Sequence, residues 1–99
     1  MSRFDLYQAG TRDEYLLDLQ SDFLVLQGTR MVAPVLPVAV AAKQAGALHP
    51  EILIEGRQYC LVTHLMAAVP QSVLRQPVAN LSDQSDVFTR ALDILFQGY

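Results

Sequence analysis

Hydrophobic and polar residues alternate over short segments in most of the chain, which is the pattern of half-buried β-strands. It predicts strands at residues 4–7, 15–19, 30–36, 52–54 and 58–63. Polar residues form a predicted hairpin loop at residues 8–14, and Glu55-Gly56 is typical of a tight hairpin turn. The pattern therefore predicts antiparallel strands joined by short connections.

Prolines modify this pattern in two places. Pro34 lies inside a predicted strand and places an edge or a bulge there. Residues 66–74 are apolar and contain Pro70, so they are strand-like rather than helical, and one more short segment follows at residues 78–81.

Residues 37–48 leave two alternatives open. Residues 39–45 have the propensity for a short helix that Gly46 would end. An extended excursion of the chain across the sheet is equally compatible with the sequence.

The end of the chain changes to a helical period. Apolar residues recur at steps of one, three and four, at Val87, Phe88, Ala91, Leu92, Leu95 and Phe96. Ser82 or Ser85 is the predicted N-cap, with Asp83 and Asp86 where the helix dipole favours negative charge. Gly98 is predicted to end the helix in a left-handed turn.

The composition indicates one domain with more apolar residues than it can bury. The 99 residues are 52% hydrophobic and 17% charged, against a usual charged share of roughly 25%. A domain of this length has a thin core, so the surplus predicts an oligomer or partner interface. Seven basic residues, dispersed along a chain of net charge −3, disfavour direct binding of nucleic acid.

The sequence lacks the features of a secreted or membrane protein. Its first residues do not form a signal peptide, and it contains no run of about 18 apolar residues. Cys60 is the single cysteine, so no internal disulfide forms. We expect a cytoplasmic protein.

Residues that carry chemistry are few. His49 and His64 are 15 positions apart and match no zinc pattern, which favours structural or surface histidines and no bound metal. Cys60 lies in an apolar strand, where a thiol is usually inert. The sequence has no nucleophile elbow and no phosphate-binding glycine loop. We therefore expect neither a cofactor nor a catalytic site.

The C-terminal residues are candidates for binding. A helix that ends in a glycine turn brings Tyr99 to its tip, and tyrosine is a good contact residue. The alternative is that Tyr99 packs on its own sheet. Phe96 is on the apolar helix face and is predicted to lie in the core or in a dimer interface.

Several motifs together resemble the CcdB family, toxins of plasmid toxin–antitoxin pairs. The similarity runs from Phe4 to Tyr99. It is carried by Leu17-Asp18-Leu19-Gln20-Ser21-Asp22, Thr29-Arg30-Met31-Val32-Ala33-Pro34, Met66-Ala67-Ala68-Val69-Pro70-Gln71-Ser72-Val73 and Phe96-Gln97-Gly98-Tyr99.

The resemblance implies a single domain over residues 1–99 with a mainly β fold. The expected architecture is a small SH3-like β-barrel, made of a twisted antiparallel sheet, a minor sheet and one C-terminal α-helix, and the expected assembly is a homodimer. The implied function is to bind the DNA gyrase A subunit and trap the cleaved gyrase–DNA complex. A small antitoxin is expected to neutralise the toxin, which would meet DNA only through gyrase or the antitoxin complex.

The resemblance also implies the target-binding residues. Carried over to this chain, they are Phe23, Leu24, Asp93, Phe96, Gln97, Gly98 and Tyr99. The best-known member of the family has asparagine, tryptophan and isoleucine where this chain has Asp93, Gln97 and Tyr99. These departures leave open a different protein target.

A second alternative is an endoribonuclease of the MazF type, which shares the fold. Such an enzyme needs basic and polar groups in a groove that holds RNA. The candidates are Thr11 with Arg12, and Thr29 with Arg30.

Overall fold

The computed structural model describes residues 1–10, 13–23, 28–39 and 46–98. These residues form the strands β1 (Asp5–Gln8), β2 (Tyr15–Asp18), β3 (Thr29–Pro37), β4 (Glu51–Ile54), β5 (Arg57–Leu61), β6 (Ala67–Pro70) and β7 (Pro77–Asn80). One helix, α1 (Ser85–Gln97), follows them. Short 3-10 turns lie at Gly46–Leu48, Thr63–Leu65, Gln71–Val73 and Ser82–Gln84.

The strands form one antiparallel sheet in the order β4-β5-β3-β2-β1-β7, and β6 joins it by pairing with β3. The sheet curls into a half-barrel. Ile54 of the edge strand β4 and Val78 of the opposite edge strand β7 line the same cavity of about 400 Å³. Leu6 and Tyr15 also line this cavity. The expectation of a mainly β, SH3-like barrel fold with one C-terminal α-helix is confirmed.

The position of β3 corrects the expectation for Pro34. β3 is a central strand that pairs with β2 on one side and with both β6 and β5 on the other. The Pro34 carbonyl accepts the Val62 N–H at 2.9 Å, so its nitrogen faces the β5 and β6 side. The pairing of β3 with β6 ends at Val32, and its pairing with β5 begins at Val35. Pro34 lies between the two pairings, so its missing N–H disrupts neither ladder.

Two apolar clusters cover the two faces of the sheet. The larger lies under α1, where Phe88 is fully buried and its ring centroid is 5.3 Å from that of Phe4. The smaller one, on the other face, contains Tyr7, Val32 and Leu74. Burial on both faces makes the sheet the rigid frame for α1.

The helix starts and ends by different means. Neither Ser82 nor Ser85 caps it, because a 3-10 turn leads directly into α1 and Gln84 takes the N-cap position without a side-chain bond. At the other end, Gly98 has φ 84° and donates its N–H to the Ile94 carbonyl at 2.9 Å. The prediction of a left-handed glycine end is confirmed.

Some predictions from the sequence differ from the structure, and one falls mostly outside the residues that the structure describes. The predicted strand at residues 58–63 ends at Leu61, and residues 66–74 contain both β6 and a 3-10 turn, because the chain leaves the sheet at both places. Most of the 39–45 segment lies outside the described residues. Within the described part of the chain, no helix has the length and apolar character that a membrane span requires.

Candidate functional site

Phe96 stands on an exposed apolar groove at the end of α1. The groove encloses about 340 Å³ and is lined by Met31, His64, Met66, Ala67, Leu95 and Phe96. Phe96 is 71% exposed, so it does not lie in the core of the single chain. Its apolar neighbours make this groove a surface suited to a protein contact.

The residues around Phe96 complete the end of the helix. Asp93 and Gln97 are exposed, and the left-handed turn at Gly98 ends the helix. Tyr99 lies outside the described residues, as does Leu24.

Phe23 forms a second exposed aromatic feature, in the bend after β2. The residue is 98% exposed, and its N–H donates to Ser21 Oγ at 3.1 Å. The preceding Asp22 accepts the Arg3 N–H at 2.8 Å and lies 3.9 Å from the Arg30 guanidinium. These contacts hold the bend from which Phe23 projects.

A buried ion pair supports this bend from below. Arg30 Nε donates to Asp18 Oδ2 at 2.7 Å, and this hydrogen bond is the main cause that raises the pKa of Arg30. The Gln20 N–H donates to Asp18 Oδ1 at 3.0 Å, and Gln20 Oε1 accepts the Met31 N–H at 3.1 Å. Sequence reasoning missed this network, although the charged Asp18 inside an apolar strand was a signal of it.

The two exposed patches are anchored on consecutive residues of β3. Arg30 reaches Asp22 beside Phe23, whereas Met31 lines the groove beside Phe96. Neighbouring residues of a strand point to opposite faces, so the start of β3 links the two patches. The structure thereby places these two parts of the predicted site on opposite faces of the sheet, at the same end of β3.

The two histidines form a pair. His49 Nε2 and His64 Nδ1 are 2.9 Å apart, and the His49 ring is buried. The described residues contain no group of three or more His, Cys, Asp or Glu side chains placed to hold a metal ion. Cys60 is fully buried, in agreement with the expectation of a packed thiol.

Arg30, one of the residues proposed for RNA cleavage, is unsuited to that role. Arg30 is 6% exposed and is committed to Asp18, so its guanidinium cannot hold a phosphate in an open groove. Thr11 and Arg12 lie outside the described residues.

The fold and the site define a small half-barrel protein that presents exposed aromatic rings at the end of a helix and on a neighbouring bend. The sequence model of one protein family, described as CcdB protein, matches residues 3–98. The chain therefore belongs to the CcdB family and is a toxin of a toxin–antitoxin pair. The family consists of gyrase poisons rather than catalytic enzymes, and the resemblance drawn from the sequence motifs is confirmed.

Proposed function

We propose that this toxin binds the DNA gyrase A subunit as a symmetric dimer and traps the cleaved gyrase–DNA complex. The observation that carries the proposal is the 71% exposure of Phe96 above an apolar groove at the end of α1. Leaving an aromatic ring and a groove in water is unfavourable unless a protein partner covers them.

The proposed dimer rests on the same argument about apolar surface that needs a partner. A chain that is 52% hydrophobic and has few charges needs a further surface on which to bury apolar groups. A two-fold ligand engages both halves of a two-fold target, and the second contact is then effectively intramolecular. Modest contacts at each tip add up to tight binding without any catalytic group.

We assign the contact with gyrase to the residues of the two exposed patches and their neighbours. The set is Phe23, Leu24, Asp93, Phe96, Gln97, Gly98 and Tyr99. Gln97 is a weaker anchor than the tryptophan of the best-known family member, and we propose that Tyr99 supplies the missing aromatic area. A small cognate antitoxin would neutralise the toxin by binding the dimer.

The test is a cleavage assay with gyrase from the matching host, supercoiled DNA and ATP. The toxin should inhibit supercoiling and yield linear DNA after denaturant and protease. Phe96→Ser should lose most of this activity, and so should a chain that lacks Gly98 and Tyr99. Val87→Ser is the matched control, since Val87 is an exposed apolar residue at the other end of α1.

A second control separates Phe23 from other exposed apolar residues of the sheet. Phe23→Ser should weaken trapping, whereas Leu53→Ser on the edge strand β4 should not. Absence of linear DNA at high toxin concentration would refute gyrase as the target and favour a different protein target. Site-specific cuts in a long RNA by the pure toxin would favour the endoribonuclease alternative.

A further inference from the structure

Two histidine rings from separate parts of the chain meet at the wall of the groove. His49 Nε2 lies 2.9 Å from His64 Nδ1, with the ring centroids 4.9 Å apart and the ring planes at 30°. His49 is buried at 6% exposure, while His64 is exposed and lines the groove with Phe96. Helix α1 packs against both adjoining 3-10 turns, Gly46–Leu48 and Thr63–Leu65.

Other hydrogen bonds hold the two segments together independently of the rings. Thr63 Oγ1 donates to the Leu48 carbonyl at 2.6 Å, and the Leu61 N–H donates to the Pro50 carbonyl at 2.9 Å. Loss of the bond between the rings would therefore free the His64 side chain and leave the backbone in place.

One nitrogen decides which protonation states this pair tolerates. His49 Nδ1 is buried and has no hydrogen-bond partner. In the neutral pair, His49 donates its Nε2–H to His64 Nδ1, and His49 Nδ1 carries no proton. If His64 ionises, its Nδ1–H needs His49 Nε2 as an acceptor, which forces the His49 proton onto Nδ1. If His49 ionises, its Nδ1 is protonated as well, so each ionised form of the bonded pair buries an N–H without an acceptor.

The charged residues around the pair do not offset the free-energy cost of burying an N–H without an acceptor. Burial is the first cause that lowers the pKa of His49 from its usual 6.5, and the neighbouring His64 is the second. The charged residues on α1 and β4 are exposed to solvent, which weakens their electrostatic effect on the pair: Asp86, Arg90, Asp93 and Glu51. On β3, Arg30 is committed to Asp18.

We propose that the His49–His64 pair is a proton-operated latch on the groove wall, closed when both rings are neutral and opened by uptake of a proton. In the open form the bond between the rings is broken, the His64 side chain turns into solvent, and the groove loses one side of its lining. The face beside Phe96 then changes shape below about pH 6.5. The consequence for docking rests on the proposed function, whereas the latch itself does not.

The first test is NMR of the full-length chain with labelled histidine rings and methionine methyl groups. At neutral pH, His49 should carry its proton on Nε2, and it should titrate below 6.5. The methyl groups of Met31 and Met66, which line the groove, should shift with the same midpoint. A His49 that carries its proton on Nδ1, or that titrates at 6.5 or above, would overturn the proposal.

A variant isolates the latch from other titrations. In His49→Gln, the side-chain amide replaces Nε2 as the donor, does not ionise, and can turn its oxygen toward a protonated His64. The pH-dependent shifts of the methionine methyl groups should be smaller in this variant than in the wild type, because the amide can bond His64 in either protonation state and holds it in place. Shifts of equal size in the two proteins would refute the latch.

The same pair of proteins gives a stability test. The wild type should lose stability to urea as the pH falls below about 6.5, because unfolded His49 binds a proton more readily than folded His49. His49→Gln should lose less stability over the same pH range. Equal slopes of the unfolding free energy against pH in the two proteins would contradict the proposal. In the gyrase assay, the wild type should weaken on acidification more than His49→Gln. If both proteins fail to trap gyrase while the NMR result holds, the proposed target is wrong and the latch stands.

Discussion

Arg30 and Asp18 form an ion pair in the interior of the protein, with an Nε–Oδ2 distance of 2.7 Å and side-chain exposures of 8% and 0%. The pair lies on the face of the sheet opposite α1 and supports the bend that carries Phe23. A charge at this depth is tolerated only while its partner and the surrounding hydrogen bonds are present.

Removal of one partner of this pair should be strongly destabilising. Arg30→Ala leaves the Asp18 carboxylate buried without its counter-charge, and we expect a loss of about 3–5 kcal/mol in the free energy of unfolding. Urea denaturation of the variant measures the loss. The double variant Asp18→Leu with Arg30→Met should recover part of it, since no unpaired charge then remains.

An exposed ion pair provides the matched control. Arg57 and Asp13 are 2.9 Å apart, but both side chains are 58% exposed. Water and salt screen such a pair, so Arg57→Ala should leave the unfolding curve nearly unchanged. A large loss for Arg57→Ala, or none for Arg30→Ala, would contradict the assignment of stability to the buried pair.

Two phenylalanines of α1 should respond in opposite ways to truncation. Phe88 is fully buried against Phe4, so Phe88→Ala should cost about 3–5 kcal/mol of stability. Phe96 is 71% exposed, so Phe96→Ala should change stability by less than about 0.5 kcal/mol. Thermal unfolding of both variants checks this. A large loss in Phe96→Ala would show that this ring packs within the folded protein or its dimer.

The end of α1 favours glycine because its backbone adopts a left-handed conformation. Gly98 has φ 84°, and a Cβ at this position would meet nothing within 4 Å. Gly98→Ala should therefore cost about 1 kcal/mol through the left-handed conformation alone. Gly98→Asn should cost less, because asparagine tolerates this conformation better. A loss for Gly98→Asn in urea denaturation that equals or exceeds the loss for Gly98→Ala would contradict this explanation.

Alkaline pH should destabilise the protein through Tyr7. Burial, followed by the nearby Asp5 carboxylate, raises the pKa of Tyr7 to about 12, above the usual 10.0. The folded state therefore favours the neutral phenol. This contribution is complete below pH 10.0 and is lost as the pH rises toward about 12, because the unfolded tyrosine releases its proton first.

The variant Tyr7→Phe should lose this part of the alkaline dependence. Urea denaturation of both proteins at several pH values measures the difference, and tyrosinate absorbance reports the titration directly. Identical alkaline slopes for Tyr7→Phe and the wild type would show that Tyr7 is not the group responsible.

Much of the fold was predictable because it depends on local patterns. Alternating polarity located five of the strands, and the change to a helical period located α1 to within two residues of its N-terminus. The glycine end at Gly98 followed from the need for a positive φ. Motifs distributed along the chain were sufficient to indicate the family.

Contacts between distant segments could not be predicted from such patterns. Phe4 was assigned to a strand, yet it has φ 69°, held by hydrogen bonds to Asp18 and Leu81 and by the ring of Phe88. Pro34 was assigned to an edge or a bulge, but the gap between the β6 and β5 pairings accommodates it in a central strand. In both cases the outcome depends on segments that are remote in sequence.

The sequence by itself determined the strands, the helix and its glycine end, the excess of apolar residues and the family to which the toxin belongs. Only the tertiary structure decided that Arg30 is buried with Asp18, that Phe96 stands on an open groove, and that His49 and His64 share a hydrogen bond. The physical reason is that periodicity is set by neighbours along the chain. Burial, exposure and ion pairing are set by whichever distant residues the curled sheet brings into contact.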